Sequence, residues 1–99
     1  MSLSVAMITY NEEKILEKTL RSVAGLADEI VIVDSGSTDG TREIAEKYGA
    51  KFVHQDWLGY GPQRNKAIQL CQSEWILNID ADEEISPKLC DKIQKILQE

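Results

Sequence analysis

The sequence has few of the features that mark secreted or membrane-spanning proteins. Its two cysteines, Cys71 and Cys90, do not have the spacing of metal ligands, and we interpret them as reduced thiols. No apolar run approaches the ~18 residues that a membrane span needs. The amino terminus also lacks the basic and apolar regions of a secretory signal. We therefore expect a soluble, cytoplasmic protein.

Basic residues are outnumbered as well. The 11 Lys and Arg residues face 17 Asp and Glu residues, which gives a net charge of -6 and no basic patch for a phosphate backbone. We therefore expect no nucleic-acid partner. The 99 residues, 42% hydrophobic and 28% charged, suffice for one small domain with a modest core.

Short apolar runs alternate with helical patterns along the chain. Strands are predicted over residues 3–9, 30–33, 51–54 and 75–79. Helices are predicted from an Asn11 cap to Gly25, from a cap near Asp39 to Gly49, over 63–71, and from a Ser86 cap onward. This alternation predicts an α/β fold with an open, mainly parallel sheet and helices on both faces.

Polar residues follow each predicted strand. Ligands bind at the carboxyl edge of open α/β sheets, so the loops at this edge are the candidate site. The loops contain Tyr10-Asn11-Glu12, Asp34-Ser35-Gly36, the segment 57–64 and Asp80-Ala81-Asp82.

Asp80 and Asp82 place two carboxylates one residue apart at the end of the 75–79 run, which we interpret as a strand buried on both faces. If the backbone stays extended, both carboxylates point to the same side, and a divalent ion carrying a diphosphate would offset their repulsion. A solvated acidic turn leading to the helix at Ser86 explains the local sequence equally well. The wider context has to decide between the two interpretations.

Three motifs occur in order, each after a predicted strand. They are Thr9-Tyr10-Asn11-Glu12-Glu13, the segment 33–41 with the sequence VDSGSTDGT, and Asp80-Ala81-Asp82. Together they resemble the amino-terminal half of family 2 glycosyltransferases of the GT-A fold, over nearly the whole chain. The segment 56–67 also resembles the bacterial branch that adds sugars to the lipopolysaccharide inner core.

The resemblance implies a Rossmann-like half-domain that binds a nucleotide-diphosphate sugar, expected to be a UDP-sugar, with Mg or Mn. It implies inverting transfer to a glycan, lipid-linked or lipopolysaccharide acceptor. The implied donor-binding residues are Thr9, Tyr10, Asn11, Glu12, Asp34, Ser35, Arg64, Asp80, Ala81 and Asp82.

Chemistry suggests roles at these positions. Asp34 would accept a hydrogen bond from a base N–H, and the Arg64 fork would pair with phosphate or a base carbonyl. Asp80 would face the ribose or a metal-bound water, and Asp82 would coordinate the metal directly. Locally, Asn11 also fits a simple helix cap, and Arg64 an exposed residue that opens a helix.

Inverting transfer also needs a general base for the acceptor hydroxyl. In the family that carboxylate lies downstream, so we expect no catalytic residue here. The expected unit is residues 1–99, a donor-binding half truncated at its carboxyl end and with little activity alone. Association with the inner face of the membrane is expected only of a longer form.

Other functional classes fit the motifs less well, except for a non-catalytic module that binds nucleotide and metal. In haloacid dehalogenase-type phosphatases the acid-x-acid motif follows the first strand, with Thr or Val in place of Glu84. Receiver-like domains carry their acids after the first strand. An EF-hand loop needs glycine where this chain has Ile85.

Overall fold

The computed structural model describes residues 1–98 and contains a four-stranded sheet. The elements are β1 (Leu3–Thr9), α1 (Leu16–Val23), β2 (Glu29–Asp34), α2 (Thr41–Lys47), β3 (Lys51–His54), α3 (Tyr60–Gln69), β4 (Trp75–Asn78) and α4 (Pro87–Gln98). The strand order is β3-β2-β1-β4, and every pair is parallel. The predicted parallel α/β sheet is confirmed.

Helices cover both faces of the sheet, as predicted. On one face, Met7 of β1 and Ile32 of β2 pack with Leu20 of α1 in the main core. On the other face, Ala6 and Val33 pack against α3 in a smaller cluster. The alternation follows from the strand period of two, which sends neighbouring side chains to opposite faces.

The interpretation of 75–79 as a strand buried on both faces is wrong. Within residues 1–98, β4 pairs with β1 alone and forms an outer strand of the sheet. Trp75 and Ile76 are 46% and 40% exposed. The apolar run does predict a strand, but burial depends on which elements cover it, and the run carries no information about them.

The first and third helices also differ from their predicted bounds. Asn11 is not a helix cap: it has a φ of 53°, and α1 begins at Leu16. Helix α3 begins at Tyr60, ahead of the predicted residue 63. Pro62 is tolerated there because the first turn of a helix needs no N–H from it.

The last helix, α4, has the predicted cap, since Ser86 Oγ accepts the N–H of Leu89 at 3.1 Å. The side chain of Cys90 packs against the main core, and both cysteines are free thiols. None of the helices within residues 1–98 has the length and apolar character needed to span a membrane.

Candidate functional site

A cavity of about 670 Å³ lies where the strands β1, β2 and β4 end. Its size is typical of small-molecule sites, and its position is where open parallel sheets bind ligands. The lining residues are Ile8, Thr9, Tyr10, Glu12, Ser35, Trp57, Tyr60, Arg64, Asp80, Ala81 and Asp82. The structure thus brings most of the predicted donor-binding residues together.

Two predicted residues, Asn11 and Asp34, do not line this cavity. Asn11 instead ties the loop after β1 to the loop after β2. Its Oδ1 accepts the N–H of Thr38 at 2.8 Å, and its own N–H donates to Ser37 Oγ at 2.7 Å. Asn11 therefore fixes the loop that carries Tyr10.

Asp34 is buried behind the wall, and its carboxylate already has four partners. Oδ1 accepts the hydroxyls of Thr9 and Ser37, each at 2.6 Å. Oδ2 accepts the N–H groups of Gly36 at 2.9 Å and Ser37 at 2.7 Å. Burial acts to raise the pKa of Asp34, but these hydrogen bonds outweigh it and lower the pKa. The charged carboxylate therefore organises the loop, and its neighbour Ser35 is the residue that reaches the cavity.

Glu12 adds a third acidic side chain to the cavity wall. The hydroxyl of Thr41 accepts its N–H at 2.8 Å, which holds the loop after β1 against the start of α2. Burial, followed by the charges of Asp82, Asp39 and other nearby acids, raises the pKa of Glu12. The acidic end of the cavity, lined by Glu12, Asp80 and Asp82, therefore favours a cation.

Asp80 and Asp82 both line the cavity, but the backbone between them does not stay extended as the sequence suggested. It forms a turn, in which the N–H of Glu83 donates to Asp80 O at 3.0 Å. The hydroxyl of Thr19 donates to Ala81 O at 2.5 Å and anchors the turn on α1. Both residues thus reach the same cavity through a turn and not through an extended strand.

The residues at this end fit a divalent ion that arrives with a diphosphate. Carboxylate oxygens are the ligands that Mg²⁺ and Mn²⁺ prefer, and Mg²⁺ commonly binds through one or two carboxylates plus substrate phosphates. Within residues 1–98 no group of three or more His, Cys, Asp or Glu side chains is arranged to hold an ion alone. Asp80 and Asp82 could supply the protein ligands, and phosphate oxygens the rest.

Arg64 lies beside the acidic turn. Its Nη2 is 3.3 Å from Asp80 Oδ1, and both side chains are partly exposed to the cavity. Its guanidinium carbon also lies 5.7 Å from the ring centroid of Tyr60. The planar fork is thus positioned where phosphate or a base carbonyl could reach it.

Two aromatic residues of the wall, Trp57 and Tyr60, are absent from the predicted donor-binding residues. The sequence predicts that their segment, 57–64, lies at this edge, but it gives neither side chain a role. They pack edge to face, with ring centroids 4.9 Å apart. The available signal was two large aromatic residues in a glycine-containing loop at the ligand-binding edge of the sheet.

Comparison with known proteins places the chain in one family. Residues 4–99 match the family described as Glycosyl transferase family 2. The chain belongs to this family. An uncharacterized glycosyltransferase of Rickettsia bellii is 50% identical over 95% of this chain and 32% of its own length. The lipopolysaccharide core biosynthesis glycosyltransferase LpsC of Rhizobium meliloti is 39% identical over 98% of this chain and 37% of its own length.

Solved structures of glycosyltransferases share the fold. TarS 1–349 of S. aureus in complex with UDP has a TM-score of 0.76, with 33% identity over 99% of this chain and 32% of its own. Glucosyl-3-phosphoglycerate synthase of Mycobacterium tuberculosis, with Mn²⁺, UDP and glucosyl-3-phosphoglycerate, has a TM-score of 0.71, with 26% identity over 84% of this chain and 35% of its own. The predicted GT-A fold is confirmed, and the chain spans about a third of the length of these proteins.

Proposed function

We propose that this chain is the donor-binding part of an inverting glycosyltransferase that takes its sugar from a UDP-sugar. The observation that carries the proposal is the convergence of Arg64, Asp80 and Asp82 on one cavity at the carboxyl edge of a parallel sheet. Phosphate groups need cationic partners, and this edge offers both a guanidinium fork and a carboxylate pair that fits a divalent ion. UDP in two solved relatives of the same fold supports uridine as the base.

Several residues of the cavity wall have a role in this proposal. Asp80 and Asp82 would hold Mg²⁺ or Mn²⁺, which offsets the charge on the departing diphosphate when it is bound. Arg64 would orient the donor through its planar fork. Thr9, Tyr10, Glu12 and Ser35 would border the nucleoside.

Asp34 is proposed here as a positioning residue, because its carboxylate already accepts four hydrogen bonds from the chain. Ser35, which lines the cavity, is better placed to meet the base edge. The expected contact of Asp34 with a base N–H would require it to give up one of these partners.

The acceptor and the general base belong to the whole enzyme. We assign no residue of this chain to deprotonation of the acceptor hydroxyl, and the relatives are about three times as long, since they are covered to 32% and 37%. The similarity to LpsC supports a lipopolysaccharide core or other lipid-linked glycan as the acceptor. A membrane-surface location would follow from such an acceptor.

Amide NMR of the 99-residue chain tests donor binding directly. Titration with UDP and Mn²⁺ should shift the amides of residues 8–12, 35–37, 57–64 and 80–83, and leave α2 and β3 largely unchanged. GDP and dTDP serve as comparisons for the base. If no nucleotide diphosphate shifts these amides, the chain has no donor site. If donor binds but a longer form transfers no sugar, the non-catalytic binding module is correct.

A further inference from the structure

Trp57 and Tyr60 form a part of the cavity wall that the proposed function leaves without a role. Their side chains are 51% and 67% exposed, although the burial of a large aromatic ring contributes strongly to the stability of a fold. The rings meet edge to face, with an interplanar angle of 88°. Two exposed rings inside a ligand cavity present π-faces on which another flat ring can stack.

The exposure of Trp57 is built into the fold by a buried glutamine. The side chain of Gln63 is 1% exposed. Its Oε1 accepts the N–H of Leu58 at 3.1 Å, and its Nε2 donates to the carbonyl of Gln55 at 2.8 Å. These bonds fix the backbone on both sides of Trp57. Gly59, with a φ of 104°, then turns the chain into α3. The buried amide of Gln63 thus holds the loop that keeps the exposed indole of Trp57 at the cavity.

A row of contacts links the two rings to the acidic turn. The Trp57 ring packs on Tyr60, the Arg64 guanidinium lies over Tyr60, and Arg64 pairs with Asp80. The rings are therefore separated from the carboxylates by one arginine side chain. A diphosphate at Asp80 would thus leave the rest of a nucleotide within reach of the rings.

We propose that Trp57 and Tyr60 form the wall on which the nucleobase of the donor stacks. This inference rests on the proposed function and assigns a subsite within it. A base is a planar π system with polar edges, so its face suits the two rings while its edge can pair with Arg64 or Ser35.

Tryptophan fluorescence tests the subsite because the chain has two tryptophans, and the second, Trp75, lies on the outer strand β4 and does not line the cavity. In a Trp75→Phe variant, UDP should quench the emission of Trp57. By calorimetry, Trp57→Ala should weaken UDP binding about tenfold, in line with the loss of one stacked base. Trp57→Phe should keep most of the affinity, and Trp75→Ala should bind UDP as the wild type does. Circular dichroism checks that each variant is folded.

Inorganic pyrophosphate separates the base from the phosphates. Its affinity should be the same for the wild type and Trp57→Ala if the ring contacts the base. Equal weakening of UDP and pyrophosphate, or weakening of a UDP-sugar without weakening of UDP, would overturn the base-stacking wall. Full UDP affinity in Trp57→Ala would also overturn the base-stacking wall, but it would leave the proposed donor site intact. Absence of UDP binding to the wild type would instead remove the proposed function and the inference together.

Discussion

The guanidinium of Arg64 lies 3.3 Å from the carboxylate of Asp80 and thereby joins helix α3 to the turn after β4. Both groups are partly exposed, so the pair contributes little to the stability of the fold. It also leaves other N–H groups of the guanidinium available toward the cavity. The pair keeps a cationic fork beside an acidic turn. A bound diphosphate could then contact the fork on one side and a metal ion on the other.

Replacement of Arg64 should therefore affect ligand binding more than folding. Arg64→Ala should weaken UDP about tenfold or more, and Arg64→Lys should recover part of the loss, because lysine keeps the charge but not the planar fork. Calorimetry at constant ionic strength measures both. Arg42→Ala removes the same charge from α2, where Arg42 pairs with Glu46 outside the cavity, and is the matched control. Wild-type affinity in Arg64→Ala would exclude the assigned role.

The sequence was informative where local pattern determines structure. The strands β1 and β3 have their predicted bounds, because apolar runs flanked by turn residues define strands without reference to the rest of the chain. The topology of alternating strands and helices then placed Thr9, Ser35 and Asp80 at one edge.

The features that the sequence did not predict depend on contacts between distant segments. Asp34 lies behind the cavity wall because the hydroxyl of Thr9, 25 residues earlier, holds it there. Asn11 adopts a positive φ because the loop after β2 satisfies its side chain. The exposure of Trp57 depends on the amide of Gln63. No pattern within a short window reports such pairings.

The buried carboxylate of Asp34 should make stability depend on pH. The pKa of Asp34 in the folded state lies below the ordinary value of 3.8. The stability that the charged carboxylate contributes is therefore fully present above this pH, and it is lost as the pH falls through the lower, folded-state pKa. At pH 7, Asp34→Asn should cost about 3 kcal/mol of unfolding free energy, because an amide cannot accept all of these hydrogen bonds. Urea unfolding from pH 7 to pH 2 should show the difference from wild type shrinking at the acidic end. A difference that stays constant with pH would contradict the ionised, hydrogen-bonded carboxylate.

Gln63 should position the Trp57 loop. Gln63→Ala leaves the N–H of Leu58 and the carbonyl of Gln55 without their partner and should destabilise the fold by about 2–3 kcal/mol. In the folded protein, the fluorescence anisotropy of Trp57, measured in a Trp75→Phe background, should fall as the loop gains freedom. The exposed Gln69 on the same helix provides the control, since Gln69→Ala should change neither quantity. Unchanged anisotropy in Gln63→Ala would mean that the loop is held by other contacts.

Two glycines at the start of α3 should respond in opposite ways to alanine. Gly59 has a φ of 104° and a ψ of 161°, a region that only glycine adopts without strain, so Gly59→Ala should lower stability by about 1–3 kcal/mol. Gly61 lies inside the helix, and a Cβ added there would meet no other group within 4 Å, so Gly61→Ala should be neutral or stabilising by up to about 1 kcal/mol. Thermal unfolding of the two variants compares them directly. Equal effects at both positions would contradict the described turn.

The central claim is that Asp80 and Asp82 hold a divalent ion together with the diphosphate of the donor. Calorimetric titration of UDP with and without Mn²⁺ tests it in the wild type, in Asp82→Asn, and in Glu84→Gln as a control outside the cavity. We expect Mn²⁺ to strengthen UDP binding at least about tenfold in the wild type and in Glu84→Gln, and to have a much smaller effect in Asp82→Asn, which lacks one charged ligand. UDP affinity that is independent of Mn²⁺ in the wild type, or fully enhanced by Mn²⁺ in Asp82→Asn, would contradict the claim.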